Sequence, residues 1–319
     1  MKVAVLIPCY NEGTTISKVV SDFRAALPGA EIYVYDNNSS DSTKESAMSA
    51  GAIVHSEPMQ GKGNVVRRMF ADIEADTYVM VDGDATYHAA SAPLMIERLF
   101  KEKLDMVVGN RLVKHEEGAF RAGHHVGNHL LTGFVAWLFT SRFNDILSGY
   151  RVFSRRFVKS FPAISTGFET ETELTVHALA LRLPVAEVDT PYFARPDGSS
   201  SKLRTYHDGF RILLTILLLL KEERPQFFFS AISLLLMAIA LVLGIPIIVG
   251  WMETGLVPRF PTALLATGIS LMAFLSLAAG VILDTVTRGR REIKRLHYLS
   301  IAAPARPGKL VFVSQEGGE

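Results

Sequence analysis

Thr77-Tyr78-Val79-Met80-Val81-Asp82-Gly83-Asp84 is the stretch on which the reading of this chain turns. Its first five residues are apolar, aromatic or β-branched and too few for a helix, so they predict a buried strand that ends at Asp82. Two carboxylates separated by one glycine follow at once. Such a pair can hold a hard divalent cation, and that cation can grip a diphosphate. Glycine between them lets the backbone bend and a ligand come close. The same three residues are compatible with a plain turn whose Asp side chains cap the backbone. Their placement at a strand end favours a site.

Outward from that strand, short apolar runs alternate with amphipathic stretches. Val3–Ile7, Glu31–Asp36, Ala52–His55 and Asp105–Gly109 read as further strands. Thr14–Leu27 has helical spacing, with Ile16, Val19, Val20 and Phe23 on one side and Pro28-Gly29 closing it. Asp41–Ala50, Gly63–Ala75 and Pro93–Lys101 read as helices too. Alternation of this kind predicts a parallel sheet covered on both faces, with ligands beyond the carboxyl ends of its strands. Asn11, Asp36, Asp82 and Asp84 all fall at or just after such ends. Residues 110–205 are less regular, with helical patterns over Gly123–Phe139 and Phe168–Leu181 and a polar loop over Arg195–Lys202.

Composition narrows the class. The 319 residues carry a net charge of +1, so no global field draws the chain to nucleic acid. A single cysteine, Cys9, excludes an internal disulfide and agrees with a reducing compartment. Hydrophobic residues make up 49% of the chain, concentrated after residue 225. Phe227–Trp251 and Pro261–Leu283 are free of charge, and each is long enough for a membrane span of roughly 20 residues. The short connector Met252–Phe260 makes them a hairpin. Lys202, Arg204, Arg211, Lys221 and Arg224 flank one end, and Arg288, Arg290, Arg291, Lys294 and Arg295 the other. The positive-inside rule then puts both termini, and the N-terminal domain, in the cytoplasm. The first residues lack a signal-peptide cleavage pattern, which agrees. Ile212–Leu220 is too short to span and is expected along the membrane surface. The expected organisation is a cytoplasmic domain over 1–205, an amphipathic segment over 206–225, two spans within 226–285 and a basic tail over 286–319.

Other residues carry weaker signals. A carboxylate at Asp36 can accept from a base or ribose, although Asn37–Ser42 also suits a loop and helix N-cap. Gly61-Lys62-Gly63-Asn64 opens a helix, which suits a phosphate or sugar contact without the Walker spacing. Arg111, Arg121, Arg151, Arg195 and Lys202 suit phosphate oxygens. His124, His125 and His129 lack zinc-site spacing.

As an ordered set these pieces resemble the family-2 glycosyltransferases of GT-A (Rossmann-like) fold, and within them the dolichyl- and polyprenyl-phosphate sugar synthases. Pro8-Cys9-Tyr10-Asn11-Glu12 is similar to P-x-Y-N-E, and Asp36–Thr43 to D-[DN]-x-S-x-D-x-T. Asp82-Gly83-Asp84 is similar to the D-x-D metal motif and Gly109-Asn110-Arg111 to G-S-R. Asp145–Arg151 matches D-x-x-S-G-[FY]-R, and Arg195–Leu203 resembles R-x-x-G-x-S-K-L. Gly61–Arg67 matches its counterpart only in part, and Thr86 stands where the family often has Gln.

The resemblance implies inverting transfer of a hexose-type sugar from a UDP- or GDP-linked donor to polyprenyl phosphate. It implies Mg²⁺ or Mn²⁺ on Asp82 and Asp84, with donor contacts from Pro8, Tyr10, Asn11, Glu12, Asp36, Asn38, Lys62, Asp82 and Gly83. Arg111, Arg121, Arg195, Ser201 and Lys202 are implied for the phosphates and acceptor, and Asp84, Asp145 and Arg151 for catalysis, with Asp145 orienting Arg151 or the acceptor. A homo-oligomer is compatible with the sequence. A processive polysaccharide synthase is disfavoured because neither Trp137 nor Trp251 lies in a Q-x-x-R-W context. A silent nucleotide-sugar-binding scaffold is disfavoured by retention of both aspartates, and a soluble sugar nucleotidyltransferase by the two spans.

Overall fold

A computed structural model of the chain describes residues 1–112, 124–139, 143–165, 167, 169–196, 205–257 and 259–302, with side chains from 131 and 214 onward in the helices that begin at 124 and 205. Arg121, Ser201 and Lys202 lie outside the described residues. By contact the chain divides into two compact units, Met1–Ile212 with Lys294–Glu319, and Leu213–Ile293.

The first unit holds seven strands: β1 (Val3–Cys9), β2 (Glu31–Asp36), β3 (Ile53–Ser56), β4 (Thr77–Met80), β5 (Met106–Asn110), β6 (Arg151–Ser154) and β7 (Val185–Asp189). They form one sheet in the order β3-β2-β1-β4-β6-β5-β7. Helices α1 (Ile16–Ala26), α2 (Thr43–Ser49), α3 (Lys62–Asp72), α4 (Ala92–Lys101), α5 (His124–Phe139), α6 (Arg155–Ser160) and α7 (Thr170–Ala180) connect them. Ala4, Val5, Leu6 and Ile7 of β1 are fully buried, the pattern of a strand covered on both faces. The apolar stripe of α1 is the one its spacing predicts: Ile16, Val19, Val20 and Phe23 are its buried residues.

The expected all-parallel sheet needs one correction. β6 runs antiparallel to both β4 and β5, pairing Met80 with Arg151 and Val108 with Arg151. Its four residues begin with Arg and end with Ser, too short and too polar-ended to announce a buried strand. The reversal has a consequence for the site. Because β6 is antiparallel, its beginning lies at the carboxyl ends of β1, β2 and β4. The loop before β6, Asp145–Tyr150, is therefore carried to the rim where ligands bind.

The second unit is built from apolar helices. α8 (Thr205–Glu223) runs into it, extending the short apolar run near 212–220 into a 19-residue helix with Leu214, Leu217 and Leu218 exposed. α9 (Pro225–Thr254) and α10 (Phe260–Ser300) are long and apolar enough to cross a membrane. Gly255 ends α9 in the left-handed conformation at φ 69°, its N–H donating to the Trp251 carbonyl at 2.7 Å. A Cβ at Gly280 of α10 would stand 3.0 Å from Phe229 Cβ, so glycine there lets the two helices close up. Ser276 Oγ donates to the Phe229 carbonyl at 3.0 Å beside it.

The basic tail expected from residue 286 is helical to Ser300, as the continuation of α10. Its last turns belong to the first unit. Tyr298 OH donates to Asp105 Oδ2 at 2.7 Å, and Arg156 lies over the Tyr298 ring at 4.9 Å. Arg295 Nη2 donates to the Leu181 carbonyl at 3.0 Å.

Candidate active site

The carboxyl ends of β1, β2 and β4 are adjacent in the sheet. Register pairs Cys9 with Asp36 and Leu6 with Met80, so Asn11, Asp36 and Asp82-Gly83-Asp84 gather along one rim. Gly83 is there by necessity, because a Cβ would lie 2.6 Å from Cys9 Sγ. Its carbonyl accepts from Thr15 Oγ1 at 2.7 Å, which pins the turn between the two aspartates to the entry of α1.

Each aspartate of the pair meets a cation. Asp82 Oδ1 accepts from Lys62 Nζ at 2.5 Å, and the same ammonium contacts Glu171 Oε1. Burial works against the charge on Lys62, but Asp82 and Glu171 outweigh it and its pKa is raised. Asp84 is buried at 3% exposure. Its Oδ2 accepts from Arg195 Nη2 at 2.6 Å, and its Oδ1 from Thr86 Oγ1 at 2.6 Å. Burial, reinforced by the charge of Asp82, pushes the Asp84 carboxyl above its usual range, while Arg195 and Thr86 pull the other way. Thr86, at the position where a Gln was expected, thus steadies Asp84.

The neighbouring loops build walls. Asn11, at φ 53°, accepts from Ser40 N at 2.8 Å, and its own N–H donates to Ser39 Oγ at 2.8 Å. Glu12 N donates to Thr43 Oγ1 at 2.9 Å, and Asn38 Nδ2 to the Pro58 carbonyl at 2.8 Å. Pro8 is half-buried opposite Tyr35, and Tyr10 is exposed. Asp36 is fully buried. One oxygen takes the Ser39 N–H at 3.3 Å and lies 3.4 Å from Lys44 Nζ, and the other, Oδ1, has no hydrogen-bond partner. A buried acceptor without a donor is costly, and it suits an N–H or hydroxyl brought by a ligand.

The Asp145–Arg151 segment reaches the rim as the β6 reversal requires. Gly149 leaves no space for a side chain, because a Cβ there would collide with Asp82 Oδ2. Its N–H donates to Tyr87 OH at 2.9 Å. Asp145 was expected to orient Arg151 or the acceptor, and in the structure it forms an ion pair with Arg111. Both Asp145 oxygens accept from that guanidinium, at 2.7 and 2.8 Å, the bidentate fork geometry. The pKa of Arg111 is raised: burial opposes its charge, and Tyr87 and Asp145 more than compensate. Arg151 is fully buried and bonds the Ser148 carbonyl at 2.9 Å, the Ile146 carbonyl at 2.5 Å and Thr175 Oγ1 at 2.9 Å. Burial lowers its pKa to about 10. It braces the loop through the Ser148 and Ile146 carbonyls.

With that geometry in place, comparison with known proteins is decisive. The profile of glycosyl transferase family 2 matches residues 4–159. Glycosyltransferase AglJ of Haloferax volcanii is 34% identical over 299 residues, covering 93% of this chain and 98% of that one. The chain belongs to glycosyltransferase family 2. A dolichyl-phosphate hexose transferase of the same organism is 28% identical over 222 residues, covering 69% of this chain and 95% of that protein. Among solved structures, Mycobacterium tuberculosis glucosyl-3-phosphoglycerate synthase in complex with Mn²⁺, UDP and glucosyl-3-phosphoglycerate aligns at a TM-score of 0.55 and 25% identity, over 69% of this chain and 79% of that one. The fold of this glycosyltransferase is therefore GT-A, followed by two apolar helices that could span a membrane.

The carboxylate pair of this glycosyltransferase fits a divalent cation that takes part of its coordination from other ligands. Among the described residues no cluster of three or more His, Cys, Asp or Glu side chains stands ready to enclose a metal. Magnesium-type sites commonly use one or two carboxylates and fill the remaining positions with water and substrate phosphates. Asp82 and Asp84 supply the carboxylates.

Two contributors escaped the sequence reading. Glu171 lies in the run Glu169-Thr170-Glu171-Thr172-Glu173, where nothing local separates it from its neighbours; only the fold puts it on Lys62. Glu187 of β7 accepts from the Asn144 and Asp145 backbone N–H groups, each at 2.9 Å, and so holds the loop that carries Asp145.

Proposed function

We propose that this chain transfers a hexose-type sugar from a UDP- or GDP-linked donor to polyprenyl phosphate, inverting the anomeric configuration. The observation that carries the reading is the presence, in one chain, of a carboxylate pair at the rim of a GT-A sheet and two exposed apolar helices of spanning length. The likeness to a dolichyl-phosphate hexose transferase supports the acceptor class.

In this reading Asp82 and Asp84 hold Mg²⁺ or Mn²⁺. When bound, that ion supplies neutralisation of the charge that builds on the departing nucleotide diphosphate. Asp36 receives the nucleoside through its open oxygen, and Arg195 and Lys62 turn toward phosphate oxygens. An oxygen of the acceptor phosphate donates a lone pair to the anomeric carbon. The bond from that carbon to the donor phosphate oxygen breaks, and its electron pair leaves with the nucleotide diphosphate. A phosphate monoester is already anionic at neutral pH, its second pKa being about 6, so no proton has to be removed by a base. Arg111, Asp145 and Arg151 position the Asp145–Arg151 loop. The basic flanks keep the catalytic domain and both termini cytoplasmic.

The test is incubation of membranes containing the chain with polyprenyl phosphate and radiolabelled nucleotide-sugars, followed by lipid extraction. One donor is expected to label the lipid. Asp84→Asn is expected to cut that label by about 100-fold or more, and a chelator to abolish it until Mg²⁺ or Mn²⁺ is returned. Undiminished labelling by Asp84→Asn, or label that never enters lipid, overturns the proposal.

A further inference from the structure

Both carboxylates of the pair are already neutralised from within the protein. Lys62 Nζ lies 2.5 Å from Asp82 Oδ1, and Arg195 Nη2 lies 2.6 Å from Asp84 Oδ2. These are contacts of full ion-pair quality at the place where the divalent cation would sit. With Glu171 on the far side of Lys62, three carboxylates face two cations, and the group carries one net negative charge when all five are ionised. A lone divalent cation that takes both carboxylates strips Lys62 and Arg195 of these partners, whereas a donor diphosphate that comes with it offers both a new anionic one.

The backbone at Lys62 is held in place. Lys62 is the first residue of α3, and Gly63 behind it is pressed against the Ser165 carbonyl, where a Cβ would collide. Ser165 is itself held by Glu173, whose Oε2 accepts its N–H at 2.9 Å. Glu171 comes from the same helix, α7.

Resting on the function proposed above, we infer that Lys62 and Arg195 are internal occupants of the cation site. Each ties up one carboxylate of the pair while the donor is absent. Each passes to the donor's diphosphate when a divalent cation takes the carboxylates, so cation and nucleotide bind as a unit. Glu171 is the positioning residue: it keeps Lys62 at the rim after Asp82 has let it go.

The experiment uses the full chain in detergent and measures free Mn²⁺ by electron paramagnetic resonance, with Mn²⁺ alone and then with UDP or GDP. The wild-type protein is expected to bind Mn²⁺ weakly alone and about 10-fold or more tighter with its nucleotide, within the usual range of site–site coupling. Lys62→Met removes an internal occupant, so it is expected to bind Mn²⁺ alone more tightly than wild type and to gain less from nucleotide. Glu171→Gln removes a negative charge and leaves Lys62 on Asp82, so it is expected to bind Mn²⁺ alone more weakly. Structural damage would weaken both variants, so the opposite signs carry the test. If Lys62→Met fails to fold, Arg195→Met makes the same prediction from the Asp84 side. Variants that shift in the same direction, or a lysine variant no tighter than wild type, overturn the inference while wild-type coupling leaves the function standing. Absence of any nucleotide effect on wild-type Mn²⁺ binding overturns the function and the inference together.

Discussion

The two halves of this molecule bury opposite things. In the hairpin, Leu234 is 74% exposed, Val242 72% and Leu264 65%. At the rim of the sheet, Asp145 and Arg151 are wholly inaccessible and Asp84 nearly so. In water the first arrangement wastes apolar area, at about 25 cal/mol per Å², and the second desolvates charge. Each makes sense against its own solvent. In the proposed function the hairpin meets lipid, which is as apolar as its leucines. In the proposed function the sheet rim meets a cation and phosphates, and its carboxylates already have counter-charges in Arg111, Lys62 and Arg195.

The hardest test of that contrast removes one counter-charge. Asp145→Ala takes away the carboxylate on which both forks of Arg111 rest, in a fully buried place. Breaking such a pair costs about 3–5 kcal/mol. The expected result is a large fall in the denaturation midpoint of the first unit, with Asp145→Asn less damaging because it keeps an acceptor for the guanidinium. A loss below about 0.5 kcal/mol would show that the pair is solvated and the contrast overstated.

A leucine swap tests the contrast from the apolar side. Leu6 of β1 is completely buried, and Leu241 of α9 is 52% exposed. Leu6→Ala leaves a cavity in a close-packed core and is expected to cost about 2–5 kcal/mol. Leu241→Ala removes only a methyl-rich surface in contact with detergent and is expected to stay within about 0.5 kcal/mol. Paired urea or thermal denaturation in detergent reads both. Equal losses would mean that the outer face of α9 is packed in some assembly of the chain.

What was legible in the sequence follows the same division. Strands β1, β2 and β4 could be read because each is a short apolar run with a carboxylate or amide at its end, and both long apolar helices because no charge interrupts their runs. The pair Asp82 and Asp84 and the loop motif around Asp145 and Arg151 could be read as motifs, but their partners could not. Asp145 and Arg151 share a motif six residues apart, yet the ion pair of Asp145 goes to Arg111, 34 residues upstream. Lys62 and Glu171 are 109 positions apart and meet only because α3 and α7 lie on the same side of the rim. The antiparallel turn of β6, which sets Gly149 against Asp82, has no local sequence signal at all. Pairing across a sheet is a property of topology, and the sequence reading stopped at five strands, two short of the seven in the sheet: it missed β6 and β7.

A third kind of buried group belongs to neither class, and it gives the smallest expected effect. His177 of α7 has no counter-charge and does not turn outward. It stands edge-on between Phe157 and Phe161, with ring centroids 5.4 Å from each, and its Nδ1 is buried without a hydrogen-bond partner. Burial, with the charge of Lys294 adding to it, depresses its pKa from 6.5 to about 3. The imidazole is therefore neutral in the folded protein throughout the range where the unfolded chain begins to protonate it. Between those two values the unfolded state binds the extra proton, so stability is complete above 6.5 and falls as pH drops toward about 3. The slope contributed by one such residue is at most about 1.4 kcal/mol per pH unit. His177→Leu keeps the apolar packing and removes the titration. Wild type is expected to lose stability faster than this variant as pH is lowered from about 7 to 5, and the difference between the two slopes isolates His177 from the carboxylates they share. Parallel slopes would mean that the ring is hydrated, and that this part of the core tolerates a charge in the way the sheet rim does, by surrounding it.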